Sequence, residues 1–124
     1  MRRSGRDCGR RVSRGRAGYA GVALVLFPLV AAAATRVKDN DTDNLNLGSS
    51  WVGGAVPGIG DLAQWNSTVL GANAVQLGGN LSFLGISILN PGGAVAIGGA
   101  NTLTIGQLGI DMGRATQDLT LTNA

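Results

Sequence analysis

The densest group of side chains capable of chemistry is the run Asp39-Asn40-Asp41-Thr42-Asp43-Asn44. Its alternating aspartates occupy the first, third and fifth places of an EF-hand-like calcium loop, with Asn44 at the turn position that normally takes Gly. The twelfth place is Ser50, where such a loop needs a bidentate Glu, and no helical pattern flanks the run. Asp39, Asp41 and Asp43 are therefore a calcium candidate short of ligands, and the competing reading is a solvated acidic leader. The other downstream carboxylates, Asp61, Asp111 and Asp118, fall on separate turns or strands, so the facing pair that glycoside hydrolysis requires is not formed. Beyond residue 34 the chain has no His, Cys or Glu. A Ser-His-Asp triad and a His or Cys zinc site are thereby excluded there, and a general base would have to be an Asp or Lys38. The expectation is no catalytic site and no cofactor.

Three further patterns invite chemistry. Gly58-Ile59-Gly60-Asp61-Leu62-Ala63 fits G-x-G-x-x-A, but Pro57 precedes it and the following residues cannot form the helix that would hold a pyrophosphate. Trp51 and Trp65 could stack on sugar rings; the favoured reading is that they plug the open N-terminal end of an apolar core, where large aromatics bury most area. Asn66-Ser67-Thr68 and Asn80-Leu81-Ser82 match the short glycosylation pattern and are taken as incidental.

The formal charge of +3 and the basic isoelectric point near 10 suggest a nucleic-acid partner until the charges are located. Arg2, Arg3, Arg6, Arg10, Arg11, Arg14 and Arg16 all precede the apolar run at 17–34, "AGYAGVALVLFPLVAAAA". A basic n-region, an apolar stretch and a small-residue end make a secretory signal peptide, with cleavage expected after Ala34 and with Ala33 or Ala32 as adjacent alternatives. An uncleaved membrane anchor competes, but Gly18, Gly21, Pro28 and the terminal alanines make a poor spanning helix. After cleavage Arg36, Lys38 and Arg114 stand against six aspartates, so the mature chain is acidic and lacks a nucleic-acid footprint. Contact with a membrane is expected only through the signal segment. Cys8, the single cysteine, leaves with that segment.

The elements that position these residues are short. Runs such as 63–69, 73–77, 80–89, 93–98, 101–106, 108–112 and 118–122 alternate apolar and polar residues and are bounded by Gly, Asn and Pro, which predicts strands. They also recur. Gly85-Ile86-Ser87-Ile88 returns as Gly109-Ile110-Asp111-Met112, Val95 and Ile97 return as Leu119 and Leu121, both 24 residues on, and Leu81 and Phe83 return as Leu103 and Ile105, 22 residues on. Three short strands per unit of this length predict an all-β chain: a right-handed parallel β-helix of about two to three coils, preceded by a helical signal peptide. An antiparallel sandwich also has short strands but gives no reason for the recurrence.

In that coil Leu81, Phe83, Ile86, Ile88, Val95, Ile97, Leu103, Ile105, Ile110 and Met112 face inward. Ser82, Ser87, Thr102, Thr104, Asp111 and Thr120 face water. The expected organisation is a signal peptide at 1–34, a polar leader at 35–50 running into a first short strand, and the start of a β-helix at 51–124, truncated in mid-coil. Its open end would be free to pair with other chains.

Residues 40–122 resemble the start of large bacterial proteins with autotransporter-associated β-strand repeats. The resemblance rests on Trp51, Pro57, Asp61 and Trp65, then on the Gly85-Ile86 and Asn90-Pro91-Gly92-Gly93 phrases. It implies structural roles for Trp51, Pro57, Asp61, Trp65, Gly85, Pro91, Gly92 and Gly93, and it transfers no catalytic residue. It further implies an exported passenger domain, secreted or on the outer membrane of a Gram-negative-type bacterium. The expected function is adhesion or matrix contact, with surface polysaccharide as a partner class. The alternative is the N-terminal, non-catalytic part of a β-helical enzyme acting on polysaccharide.

Overall fold

Alternation of apolar and polar residues lets one side of each strand face a shared core while the other meets water. In the computed structural model, which describes residues 32–123, seven such strands form. They are β1 (Ala34–Val37), β2 (Asp61–Trp65), β3 (Asn73–Gln76), β4 (Leu81–Ile88), β5 (Val95–Gly99), β6 (Leu103–Asp111) and β7 (Leu119–Asn123). A single 3-10 turn lies at Gly48–Ser50. The expected signal peptide as far as residue 31, with Cys8, lies outside the described residues; Ala34, expected as its last residue, is the first residue of β1 and pairs with Asp61.

All strand pairs are parallel. One sheet has the order β1-β2-β4-β6 and the other β3-β5-β7, so the chain passes alternately from one sheet to the other. This is a parallel β-solenoid of about four turns, more than the two to three coils expected. The register matches the recurrences in the sequence. Leu81 and Phe83 pair with Leu103 and Ile105, Gly85-Ile86-Ser87 with Gly109-Ile110-Asp111, and Val95 and Ile97 with Leu119 and Leu121. The run at 80–89 is one strand, β4, but the separate runs expected at 101–106 and 108–112 are also one, β6, so a coil has two strands and not the three expected. The change from a spacing of 22 to one of 24 is a bulge, where Leu84 alone faces Gly106, Gln107 and Leu108.

The core stacks one layer per turn: Trp51, Ala63, Trp65, Val69, Val75, Leu77, Phe83, Ile86, Ile88, Val95 and Ile97, with Leu45 entering from a loop. Leu81, Leu103, Ile105 and Leu119 pack against it and are partly covered. Two expectations about individual positions fail. Ser87 does not face water; it is buried, because its strand lies inside the four-stranded sheet, with Gln64 and Asp111 in register on either side. Ile110 and Met112 are not core residues; they remain well exposed, since no further layer among the described residues covers them.

Residues 35–50 are also more than a leader. β1 opens the four-stranded sheet, and Lys38, Leu45 and Ser50 are fully buried. Val52 donates its N–H to Val37 O, Asp39 to Ser50 O, and Leu45 and Asn46 to Gln76 O and Leu77 O. The loop thus occupies the outer edge of β3 at the level that β1 occupies beside β2.

Candidate functional site

The polar groups converge where the loop after β1 turns over the first core layer. Lys38 lies next to the strand, bridged to Trp51, and its stem runs inward. A buried ammonium must find acceptors for its three N–H donors. Lys38 Nζ lies 3.0 Å from Asp39 O, 2.9 Å from Asp41 O and 2.7 Å from Asp41 Oδ1. Asp41 Oδ1 also accepts the Asp43 N–H at 3.1 Å, and Ser50 Oγ lies 3.5 Å away.

The network continues into the next coil. Asn73, inward-facing at the start of β3, donates from Nδ2 to Asp41 O at 2.7 Å and accepts from Trp65 Nε1 at 2.9 Å. Ser50 Oγ bonds to Asp43 O and Asn44 O, and Trp51 Nε1 donates to Leu45 O at 2.9 Å. Trp51 meets Trp65 and Phe83 edge to face, with ring centroids 5.7 and 6.0 Å apart. The two indoles are therefore buried parts of the cap, and neither presents a ring face on which a sugar could stack.

This geometry decides what the calcium candidate is. The loop does gather oxygens around a cation, but the cation is the chain's own Lys38. Asp39 Oδ1 turns back to the Asn40 N–H, and Asp43 Oδ2 accepts from Ser49 Oγ at 2.6 Å. The three carboxylates do not converge, and among the described residues no group of three His, Cys, Asp or Glu side chains is placed to share a metal ion. For Asp41, burial favours the neutral acid. That effect is outweighed by the Lys38 hydrogen bond, the Asp43 N–H, the Lys38 charge and Ser50, which hold the carboxyl below its ordinary value. A general base works best with a pKa near the operating pH, and Asp41 is moved the other way.

The remaining candidates serve turns. Asp61 opens β2 and accepts the Gly58 N–H at 3.0 Å while Asp61 N–H donates to Gly58 O, so the G-x-G-x-x-A stretch is a turn closed by its own aspartate and followed by a strand. Arg36 Nε lies 3.7 Å from the same carboxylate. Asp111 accepts the Gly113 N–H just after β6, and Asp118 is exposed before β7. The structure brings none of these three together as a catalytic pair.

The Asn90-Pro91-Gly92-Gly93 phrase is explained by stacking of turns. Pro91 is buried, Gly92 N–H donates to Val69 O at 2.7 Å, and a Cβ on Gly92 would collide with the Leu70 carbonyl, as one on Gly93 would with Ala72. Gly85 is similarly confined, since a Cβ there would stand 2.7 Å from Leu108 Cβ and 2.9 Å from Gly109 O. Pro57 is buried as well.

Sequence reasoning missed Asn73, and it named Lys38 and Ser50 without seeing that both are buried at the centre of the network. The available signal was a lysine directly ahead of alternating aspartates. On the outward side of β3-β5-β7 a shallow groove of about 260 Å³ is lined by Ala74, Gln76, Ala96, Gly98 and Thr122. No protein-family model, curated protein or solved structure matches the chain.

Proposed function

We propose that this chain is an exported structural and interaction module, a β-solenoid passenger that presents a repetitive polar surface for adhesion or matrix contact at the surface of a Gram-negative-type cell. The observation that carries this reading is the outward ladder of the two sheets. Ser82 is in register with Thr104, Ala96 with Thr120, and Gln76 with Gly98 and Thr122. Small and hydroxylated side chains repeated at strand spacing, about 4.8 Å, suit an extended polar polymer better than a single small molecule. The basic and apolar segment at 1–34 supports export.

The shallow groove between Gln76 and Thr122 is the preferred contact for polysaccharide, bound without turnover. Expression in a Gram-negative host, followed by fractionation and N-terminal sequencing, should place a processed chain beginning near Thr35 outside the cytoplasm. The exported chain should then be retained on immobilised cell-surface polysaccharide, and Ala74→Arg, which fills the groove from an exposed position, should abolish retention. A chain that stays cytoplasmic, or retention that Ala74→Arg leaves intact, would defeat the corresponding half of the reading.

A further inference from the structure

Lys38 is the chain's only lysine and is fully buried, and Asn73 is only 3% exposed. The two come from different coils, yet their side-chain nitrogens share one acceptor. Lys38 Nζ lies 2.9 Å and Asn73 Nδ2 2.7 Å from Asp41 O. An amine and a carboxamide are thereby held as neighbours beside the buried Trp51 and Trp65.

Two further contacts equip this pair for more than an ion pair. Asp41 Oδ1 stands 2.7 Å from Nζ, placed to take a proton from it. Trp65 Nε1 donates to Asn73 Oδ1 at 2.9 Å, which polarises the carboxamide and would hold the charge that Oδ1 gains when Cγ is attacked. A buried lysine, an adjoining carboxylate and a polarised carboxamide, pre-positioned by the fold, are the parts of a self-catalysed amide exchange.

We propose that Lys38 and Asn73 join in an intramolecular amide bond, with Asp41 as the proton carrier, which ties the capping loop to the first residue of β3. Asp41 Oδ1 takes one proton from the ammonium, and the freed lone pair forms a bond from Nζ to Asn73 Cγ. The carbonyl electrons move onto Oδ1 and return as the bond from Cγ to Nδ2 breaks. A second proton follows from Nζ through Asp41. Nζ keeps one proton as an amide N–H, Nδ2 leaves as ammonium with the two that Nζ gave up, and Asp41 ends as the carboxylate it began as. Nothing is oxidised or reduced. The Asp41 side chain is 30% exposed, which gives the ammonium a way out.

Asp41 is the carrier and not the target. Burial favours its neutral acid, but Lys38 and the Asp43 N–H outweigh that and keep it ionised, and an amine does not add readily to a carboxylate. Moving a proton onto Asp41 is uphill for the same reason, so the bond forms slowly after folding.

The test is a peptide map of the purified full chain, with the N-terminus that processing leaves, incubated until its mass is constant. Trypsin should fail to cut after Lys38 and should release 37–114 as one peptide lighter than its sequence by one ammonia. A succinimide at an asparagine loses the same ammonia, so a second digestion decides: it should yield a single branched peptide that joins residues 38 and 73. Cleavage after Lys38, a loss of water in place of ammonia, or linear peptides alone would overturn the proposal. Asp41→Asn should slow formation of the branched peptide by about a hundredfold. Formation at the wild-type rate would remove Asp41 from the reaction, and the wild-type map decides on the bond even where the variant does not fold.

Discussion

The two ends of this solenoid have the same backbone plan and opposite finishes. At the N-terminal end, Lys38, Leu45, Ser50, Trp51 and Trp65 are buried, the loop occupies the edge of β3, and the buried polar side chains form one connected network. At the C-terminal end of the described residues Ile110 and Leu121, in register with the buried Ile86 and Ile97, are exposed, and no other described strand pairs with the far edges of β6 and β7. Stacking coils supplies a core only where a layer lies on both sides. At the N-terminal end the loop supplies the second side; among the described residues nothing does so for β6 and β7.

That contrast can be tested from its strongest point downward. Trp51→Ala removes a fully buried indole from the cap and should lower stability by about 4 kcal/mol in urea titration. Lys38→Met keeps the stem but leaves the Asp41 carboxylate and two carbonyls without their cation; a loss of about 3 kcal/mol is expected by the same measurement. A gain in stability would mean that the ammonium is retained for a reason other than holding the cap. In the middle of the stack, Gly92→Ala must push the turn at Leu70–Ala72 aside, at a cost of about 2 kcal/mol, read as a lower melting temperature. Ile110→Ala, at the open end, should cost below about 1 kcal/mol, because so much of the side chain is already in water. If it costs as much as Trp51→Ala, the two ends are not energetically different.

The smallest effect is one of pH. Asp41 is held below its ordinary 3.8, so between that value and its folded one the unfolded chain binds the extra proton. Its contribution is complete above this window and is lost as the pH falls through the folded value. Amide exchange between pH 2 and 6 should show the loop 39–50 losing protection on the acid side, and Asp41→Asn should flatten that response.

The parallel stack was legible in the sequence because each coil repeats the same alternation at nearly the same length. The Gly85-Ile86 and Gly109-Ile110 phrases predicted their pairing residue by residue. The first two turns were not legible. Ala34 pairs with Asp61, 27 residues on, and Leu62 with Gly85, 23 on, so the capping loop breaks the period just where it begins. Its composition misled for a physical reason. Lys is almost never fully buried unless paired, and a run of Asp and Asn reads as solvated. Only the folded geometry shows those backbone oxygens turned inward around Nζ. Ser87 misled for the opposite reason, since alternation gives the side of a strand but not how closely its neighbours cover it. The polar groove could not be read either, because its shape comes from small residues brought together from three separate coils.

The bulge in β6 has a consequence for how such chains change over time. Two residues more than in the coil before it are absorbed between Ile105 and Gly109, and both flanking segments keep their partners. A coil can thus lengthen locally without forcing its neighbours to lengthen in step. The corner works like slack in a ratchet, where insertions accumulate while the teeth stay engaged. Two descendants of one ancestral solenoid can therefore share every strand contact and still fall out of phase in a rigidly spaced alignment, and comparisons of such chains should permit a gap inside the coil at the position of Leu84.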